Sequence, residues 1–94
     1  MQLLIIVYDI PDNKTRRLVS DWLEGYGIRV NRSVFECRVR TPVQRRRLEE
    51  GIVQLIDPAV DSVRIYPLCG ACRDDATVLG NEPEPFRNDA VYFF

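Results

Sequence analysis

Leu3-Leu4-Ile5-Ile6-Val7-Tyr8 is an unbroken apolar run that stops at Asp9, and Pro11 follows two residues later. Large β-favouring residues without alternation predict a strand over residues 2–8 that is covered on both faces. Asp12 is a good N-cap, and Leu18, Val19, Trp22, Leu23 and Tyr26 recur beyond it at helical spacing as one apolar stripe. A helix is therefore predicted from Asp12 to about Tyr26. Gly25 and Gly27 close it, with Gly27 the expected C′ residue. Arg16 falls beside the apolar stripe and Arg17 on the solvent side.

Ile28 to Asn31 is a short strand candidate. Phe35, Cys37 and Val39 then alternate with Glu36, Arg38 and Arg40, which predicts a strand with one polar face. The two patterns are out of phase, so a tight turn or bulge is expected around Asn31 to Ser33. Thr41-Pro42 marks a second helix start, Thr as N-cap and Pro at N1. Leu48, Ile52, Leu55 and Ile56 form its inner face, and Asp57-Pro58 ends it. Ser62 to Leu68 is the last clear strand, with Val63 and Ile65 on one face and Arg64 and Tyr66 on the other. The order βαββαβ predicts an α+β fold of the ferredoxin-like kind. A Cys-Gly-Ala-Cys turn and a strand candidate at Ala76 to Leu79 follow. Residues 1–80 are thus expected to form the domain with its C-terminal strand. Residues 81–94 are a tail with Pro83 and Pro85 that ends on Val91-Tyr92-Phe93-Phe94.

A chain of 94 residues buries only about 60–65% of its unfolded surface, and dimerisation is a common remedy. The apolar content of 46% is enough to supply an interface. No basic leader precedes the first apolar run, and no stretch approaches the roughly 20 residues of a membrane span. The expectation is a cytoplasmic protein with no membrane role. Charge is unevenly spread: residues 1–50 carry +3 and residues 51–94 carry −4. Twelve of the 13 basic residues are Arg, which grips phosphate bidentately. Arg16, Arg17, Arg29, Arg32, Arg38 and Arg40 are the candidates for phosphate contact, against the alternative of a solvated charged face.

The chain contains no His, so phosphate chemistry here would work through carboxylate and metal. Asp9 stands at the end of a buried strand, where α/β proteins place functional groups on a rigid element. Alone it holds Mg²⁺ weakly, because that ion takes one or two carboxylates and keeps its waters. A two-fold axis near the strand end would supply a second Asp9. The alternative is an Asp that only accepts hydrogen bonds in the turn before the helix. Cys69-Gly-Ala-Cys72 has half the ligands of a zinc site; a buried turn or a local disulfide are the other readings. Cys37 makes the set odd, which argues against a disulfide framework.

Val7-Tyr8-Asp9-Ile10-Pro11-Asp12, Lys14-Thr15-Arg16-Arg17 and Leu23-Glu24-Gly25-Tyr26-Gly27 resemble the small CRISPR-associated protein of the spacer-acquisition complex, the "Cas-two" family. Ser33-Val34-Phe35-Glu36-Cys37 and Asp61-Ser62-Val63-Arg64-Ile65-Tyr66-Pro67-Leu68-Cys69 continue the resemblance to about residue 80. The resemblance implies a ferredoxin-like homodimer with a divalent ion, Mg²⁺ or Mn²⁺, between two copies of Asp9. It implies an endonuclease on single-stranded RNA or duplex DNA. It also implies a bridge that holds the duplex backbone and binds the larger integrase subunit. On that basis Asp9 and Tyr8 are the catalytic candidates and Phe35 a structural residue beside the site. Arg16 and Arg29 also match positions that are functional in the family, and with Arg17 and Arg38 from the charge reading they are the expected nucleic-acid contacts. The Arg-Arg-Leu order at 16–18 and Arg32 depart from some members. A non-catalytic scaffold and a ribonuclease of the virulence-associated toxin family are the alternatives.

Overall fold

A computed structural model describes residues 1–80, and the expected element order is present in it. The elements are β1 (Gln2–Asp9), α1 (Asn13–Glu24), β2 (Gly27–Asn31), β3 (Val34–Val39), α2 (Pro42–Leu55), β4 (Ser62–Leu68) and a short α3 (Gly70–Asp75). The strands form one antiparallel sheet in the order β2-β3-β1-β4. That order makes β1 and β3 central, with β2 and β4 at the edges, and it is the ferredoxin-like arrangement.

The alternation along β1 divides its apolar run between two faces. Leu4, Ile6 and Tyr8 join Val19 and Leu23 of α1, Leu48 and Ile52 of α2, and Phe35, Cys37 and Val39 of β3 in one buried core. Leu3, Ile5, Val7 and Asp9 alternate onto the opposite face, which neither α1 nor α2 covers. Ile5 and Val7 are half-buried there. Leu3 is buried on that face as well, so the expected cover on both faces is met in full on one face and only at the Leu3 end of the other by the described residues of a single chain.

Both main helices begin as their sequences dictate. The Asp12 side chain accepts from the Thr15 N–H, and the Thr41 side chain accepts from the Gln44 N–H, with Pro42 behind it. The α1–α2 crossing is close. Trp22 Nε1 donates to the Leu48 carbonyl at 3.1 Å, and a Cβ on Gly51 would lie 2.2 Å from the Trp22 ring. Leu18, expected in the apolar stripe, is 41% exposed.

Three expectations are corrected. Gly27 does not terminate α1. The helix ends at Glu24, with Gly25 as its C-cap at a negative φ of −70°, and Gly27 opens β2. Glycine is required there by close approach: a Cβ would lie 2.0 Å from the Glu36 carbonyl oxygen and 2.7 Å from Cys37 Cα. Arg38 is not on an open polar face. It is 8% exposed, its N–H donates to the Tyr26 carbonyl, and its guanidinium reaches Met1 Sδ at 3.8 Å. Finally, Cys69 caps a helix of six residues where a turn was expected. Residues 76–79 have no pairing strand within the single chain, so the strand expected there turns on a second copy. The irregularity expected near Asn31 is present as a shift in the β2–β3 register between Arg29 and Asn31. The expectation for Val91 to Phe94 lies outside the described residues.

Candidate functional site at the end of strand β1

Asp9 is the last residue of β1, exposed, and paired in register with Ser62 of β4. It stands at the rim of the uncovered sheet face. The connection that follows is anchored at both ends. Ile10 is 3% exposed and fixes the loop to the core. The Thr15 N–H and hydroxyl both donate to Asp12 Oδ2 at 2.8 Å, and these two bonds hold the Asp12 carboxyl below the ordinary carboxylate range. The Arg16 guanidinium folds back over the same loop. It donates to the Ile10 carbonyl at 2.9 Å, to the Pro11 carbonyl, and to Asn13 Oδ1. Arg16 therefore braces the loop that carries Asp9, with Nη1 and Nη2 both bonded within this chain.

Tyr8 is corrected in the same sense. One step along a strand reverses the face, so Tyr8 points away from Asp9 and into the core, where it is 2% exposed. Its hydroxyl donates to the Arg32 carbonyl at 3.2 Å, and its N–H donates to the Ser33 carbonyl at 3.0 Å. Its ring lies 6.2 Å from that of Phe35, which is fully buried. Tyr8 and Phe35 thus tie the β2–β3 turn to the end of β1 and position the strand end from beneath.

The basic residues separate by sheet end. Arg17 in the first turns of α1, Arg29 near the end of β2, and Arg32 in the following turn are exposed and lie at the Asp9 end. Arg38 pairs with Leu3, six positions back along β1, which at about 3.4 Å per residue is roughly 20 Å from Asp9. Arg38 and the neighbouring Arg40 are therefore removed from the site. Arg64, which was not a candidate, pairs with Val7 on the uncovered face, two residues beyond Ser62, and donates to the Tyr66 hydroxyl at 3.4 Å. Its signal in the sequence was the alternation Ser62-Arg64-Tyr66.

For a metal, Asp9 stands on this rim, and Asp61 directly precedes its register partner Ser62. Asp61 Oδ2 accepts from the Asp57 N–H, and its buried Oδ1 has no hydrogen-bond partner among the described residues. No group of three or more His, Cys, Asp or Glu gathers among the described residues. Mg²⁺ or Mn²⁺ takes one or two carboxylates with waters, and a second copy of Asp9 would add a further carboxylate to the donor set.

The model of the family described as CRISPR associated protein Cas2 matches residues 1–76. The CRISPR-associated endoribonuclease Cas2 1 of Chloroflexus aurantiacus is 39% identical over 89 residues, covering 94% of this chain and 95% of that protein. The crystal structure of Streptococcus pyogenes Cas2 superposes with a TM-score of 0.75 at 32% identity, covering 83% of this chain and 99% of that one. A chain of a partial Cas6-RT-Cas1–Cas2 complex superposes with a TM-score of 0.72 at 33% identity, covering 84% of this chain and 91% of that one. The ferredoxin-like chain with an acidic strand end thus belongs to the Cas2 family of CRISPR-associated proteins. Among the described residues, no helix is long and apolar enough to cross a membrane.

Proposed function

We propose that two copies of this chain pair through the sheet face that α1 and α2 leave uncovered, and that the dimer acts on nucleic-acid backbone in CRISPR spacer acquisition as a metal-dependent endonuclease. The observation that carries this reading is the position of Asp9, exposed on the rim of a half-buried apolar face. A two-fold axis on that face brings two copies of Asp9 toward each other. Two carboxylates at close range repel unless a cation or proton lies between them. The two Asp9 carboxylates would hold Mg²⁺ or Mn²⁺, which when bound supplies activation of water for phosphodiester hydrolysis. The chain's own residues do the rest. Arg17, Arg29 and Arg32 hold phosphates beside the Asp9 rim, while Arg16 and Tyr8 fix the strand end that carries the carboxylate.

A second reading, a non-catalytic bridge for duplex backbone and a larger integrase subunit, is favoured by the absence of any group of three or more metal-ligating side chains among the described residues. The likeness to a chain of a Cas1–Cas2 complex also supports it. End-labelled RNA and duplex DNA incubated with the wild-type chain and Mg²⁺ or Mn²⁺ separate the two readings. Product that forms with the ion and vanishes with a chelator supports the nuclease; tight binding without product supports the bridge.

Two further outcomes are expected from the same arrangement. Backbone binding should weaken with salt at a log–log slope near −0.9 per neutralised phosphate. Arg17→Ala with Arg29→Ala should then reduce the slope by up to about two for each protomer engaged. Fluorescence anisotropy across a salt series measures it, and an unchanged slope makes these arginines a solvated face. The second outcome concerns residues 76–79, where Val78 and Leu79 are exposed, Leu79 at 88%. In the dimer this segment adds to the exposed sheet edge of the partner copy, which would otherwise be an aggregation hazard. Truncation after Cys72 should give monomer or aggregate by light scattering, while truncation after Gly80 should keep the dimer. A stable dimer of unchanged melting temperature from the Cys72 truncation would mean that the sheet face alone holds the pair.

A further inference from the structure

Cys69 and Cys72 stand apart from the Asp9 rim. They lie where the chain leaves edge strand β4, Cys69 as the N-cap of α3 and Cys72 in its first turn. Both are free and exposed, with their sulfurs 3.3 Å apart. The Cys72 N–H points at Cys69 Sγ at 3.4 Å. Residues three apart on a helical turn are close neighbours, so the pair can close into a bond by side-chain rotation without moving the strand.

We propose that Cys69 and Cys72 form a thiol–disulfide exchange site, with Cys69 as the attacking thiolate and Cys72 as the resolving thiol, acting on small-molecule disulfides. Cys69 attacks one sulfur of the small disulfide R–S–S–R. A Cys69–S–S–R bond forms, the R–S–S–R bond breaks, and one RS⁻ leaves. Cys72, deprotonated, then attacks the Cys69 sulfur, forms Cys69–S–S–Cys72 and expels the second RS⁻. Two electrons pass from the protein pair to the small disulfide, and the two thiol protons end on two RSH. The division of roles follows the local electrostatics. The Cys72 N–H donates to Cys69 Sγ, and this bond with the contact between the two sulfurs holds the Cys69 thiol below its ordinary value, while the sulfur contact raises that of Cys72. Thiolate character is what makes a thiol attack.

The remaining sulfur chemistry of the chain is excluded from this site. Cys37 is fully buried on the helix-facing side of β3, and burial, with Glu36 beside it, pushes its thiol up to about 12. The chain has no His, and no third Cys, Asp or Glu joins the pair in a metal-holding group among the described residues. Within one chain zinc would find only these two thiols among the described residues, and zinc shared between two copies is one of the outcomes of the test below.

The full-length chain, equilibrated with glutathione and glutathione disulfide at a series of ratios, is quenched with an alkylating reagent and weighed intact. The expected product escapes alkylation at both Cys69 and Cys72, runs as a single chain on a non-reducing gel, and returns to the alkylated form with dithiothreitol. Cys72→Ser should trap a glutathione adduct on Cys69, and in the wild-type chain Cys69 should be alkylated faster than Cys72. Persistent adducts on both thiols, cross-links between chains, stoichiometric zinc on these thiols in the purified protein, or faster reaction at Cys72 than at Cys69 would overturn the proposal.

Discussion

Asp9→Asn is expected to lower ion-dependent cleavage of RNA or duplex DNA by on the order of a thousandfold, while the fold and the dimer survive. A bound divalent ion contributes several kcal/mol of charge stabilisation in phosphoryl chemistry, and each 1.36 kcal/mol is about tenfold in rate. Asn keeps the shape of the side chain and removes the charge that holds the ion. Asp9 is exposed at a strand end, so the fold should lose within about 0.5 kcal/mol. The dimer should tolerate chelator better in the variant, because the repulsion between two facing carboxylates is gone. Cleavage kinetics beside light scattering test both halves. Cleavage by the variant at the wild-type rate would move the chemistry away from Asp9.

Gly27→Ala is expected to be the most damaging single methyl group in the chain. The atoms it would meet are the Glu36 carbonyl oxygen at 2.0 Å and Cys37 Cα at 2.7 Å. Both are backbone of the central strand β3, so no side-chain rotation relieves the clash. Relief requires β2 to move away from β3, which strains their ladder and the bond from the Arg38 N–H to the Tyr26 carbonyl. Overpacking of this kind costs about 3 kcal/mol or more. For a domain of this size that corresponds to a melting temperature lower by roughly 12 °C or more. Thermal unfolding followed by circular dichroism measures it. A loss under about 3 °C would mean that β2 shifts freely, and that its tight pairing with β3 is not needed for stability.

Much of the fold was legible because its punctuation is local. Asp12 and Thr41-Pro42 cap their helices through bonds three residues away, Asp57-Pro58 follows the end of α2, and the phase break at Asn31 to Ser33 marks the irregular β2–β3 pairing. The site was less legible, for physical reasons that differ by residue. Tyr8 was a candidate through the family resemblance alone, and an unbroken apolar run shows no alternation that would have set its face against that of Asp9. Counting back from the exposed Asp9 would have put Val7 and Ile5 with it and Tyr8 beneath. Arg38 carries the charge of a surface residue, and only the pairing with Leu3 places it at the far end of the sheet. Arg16 turns on a rotamer that folds onto the Ile10 carbonyl, which spacing does not encode. Arg64 was overlooked because its relation to the β1 end exists only through the β1–β4 register. The strand expected at 76–79 would find its pairing edge in another copy of the chain, as the proposed dimer requires.

Titration calorimetry with Mn²⁺ on the wild-type dimer and on Asp9→Asn tests the shared carboxylate site most directly. The predicted result is one ion bound per two chains, with no binding by the variant. One ion per single chain, or unchanged affinity in Asp9→Asn, would contradict it.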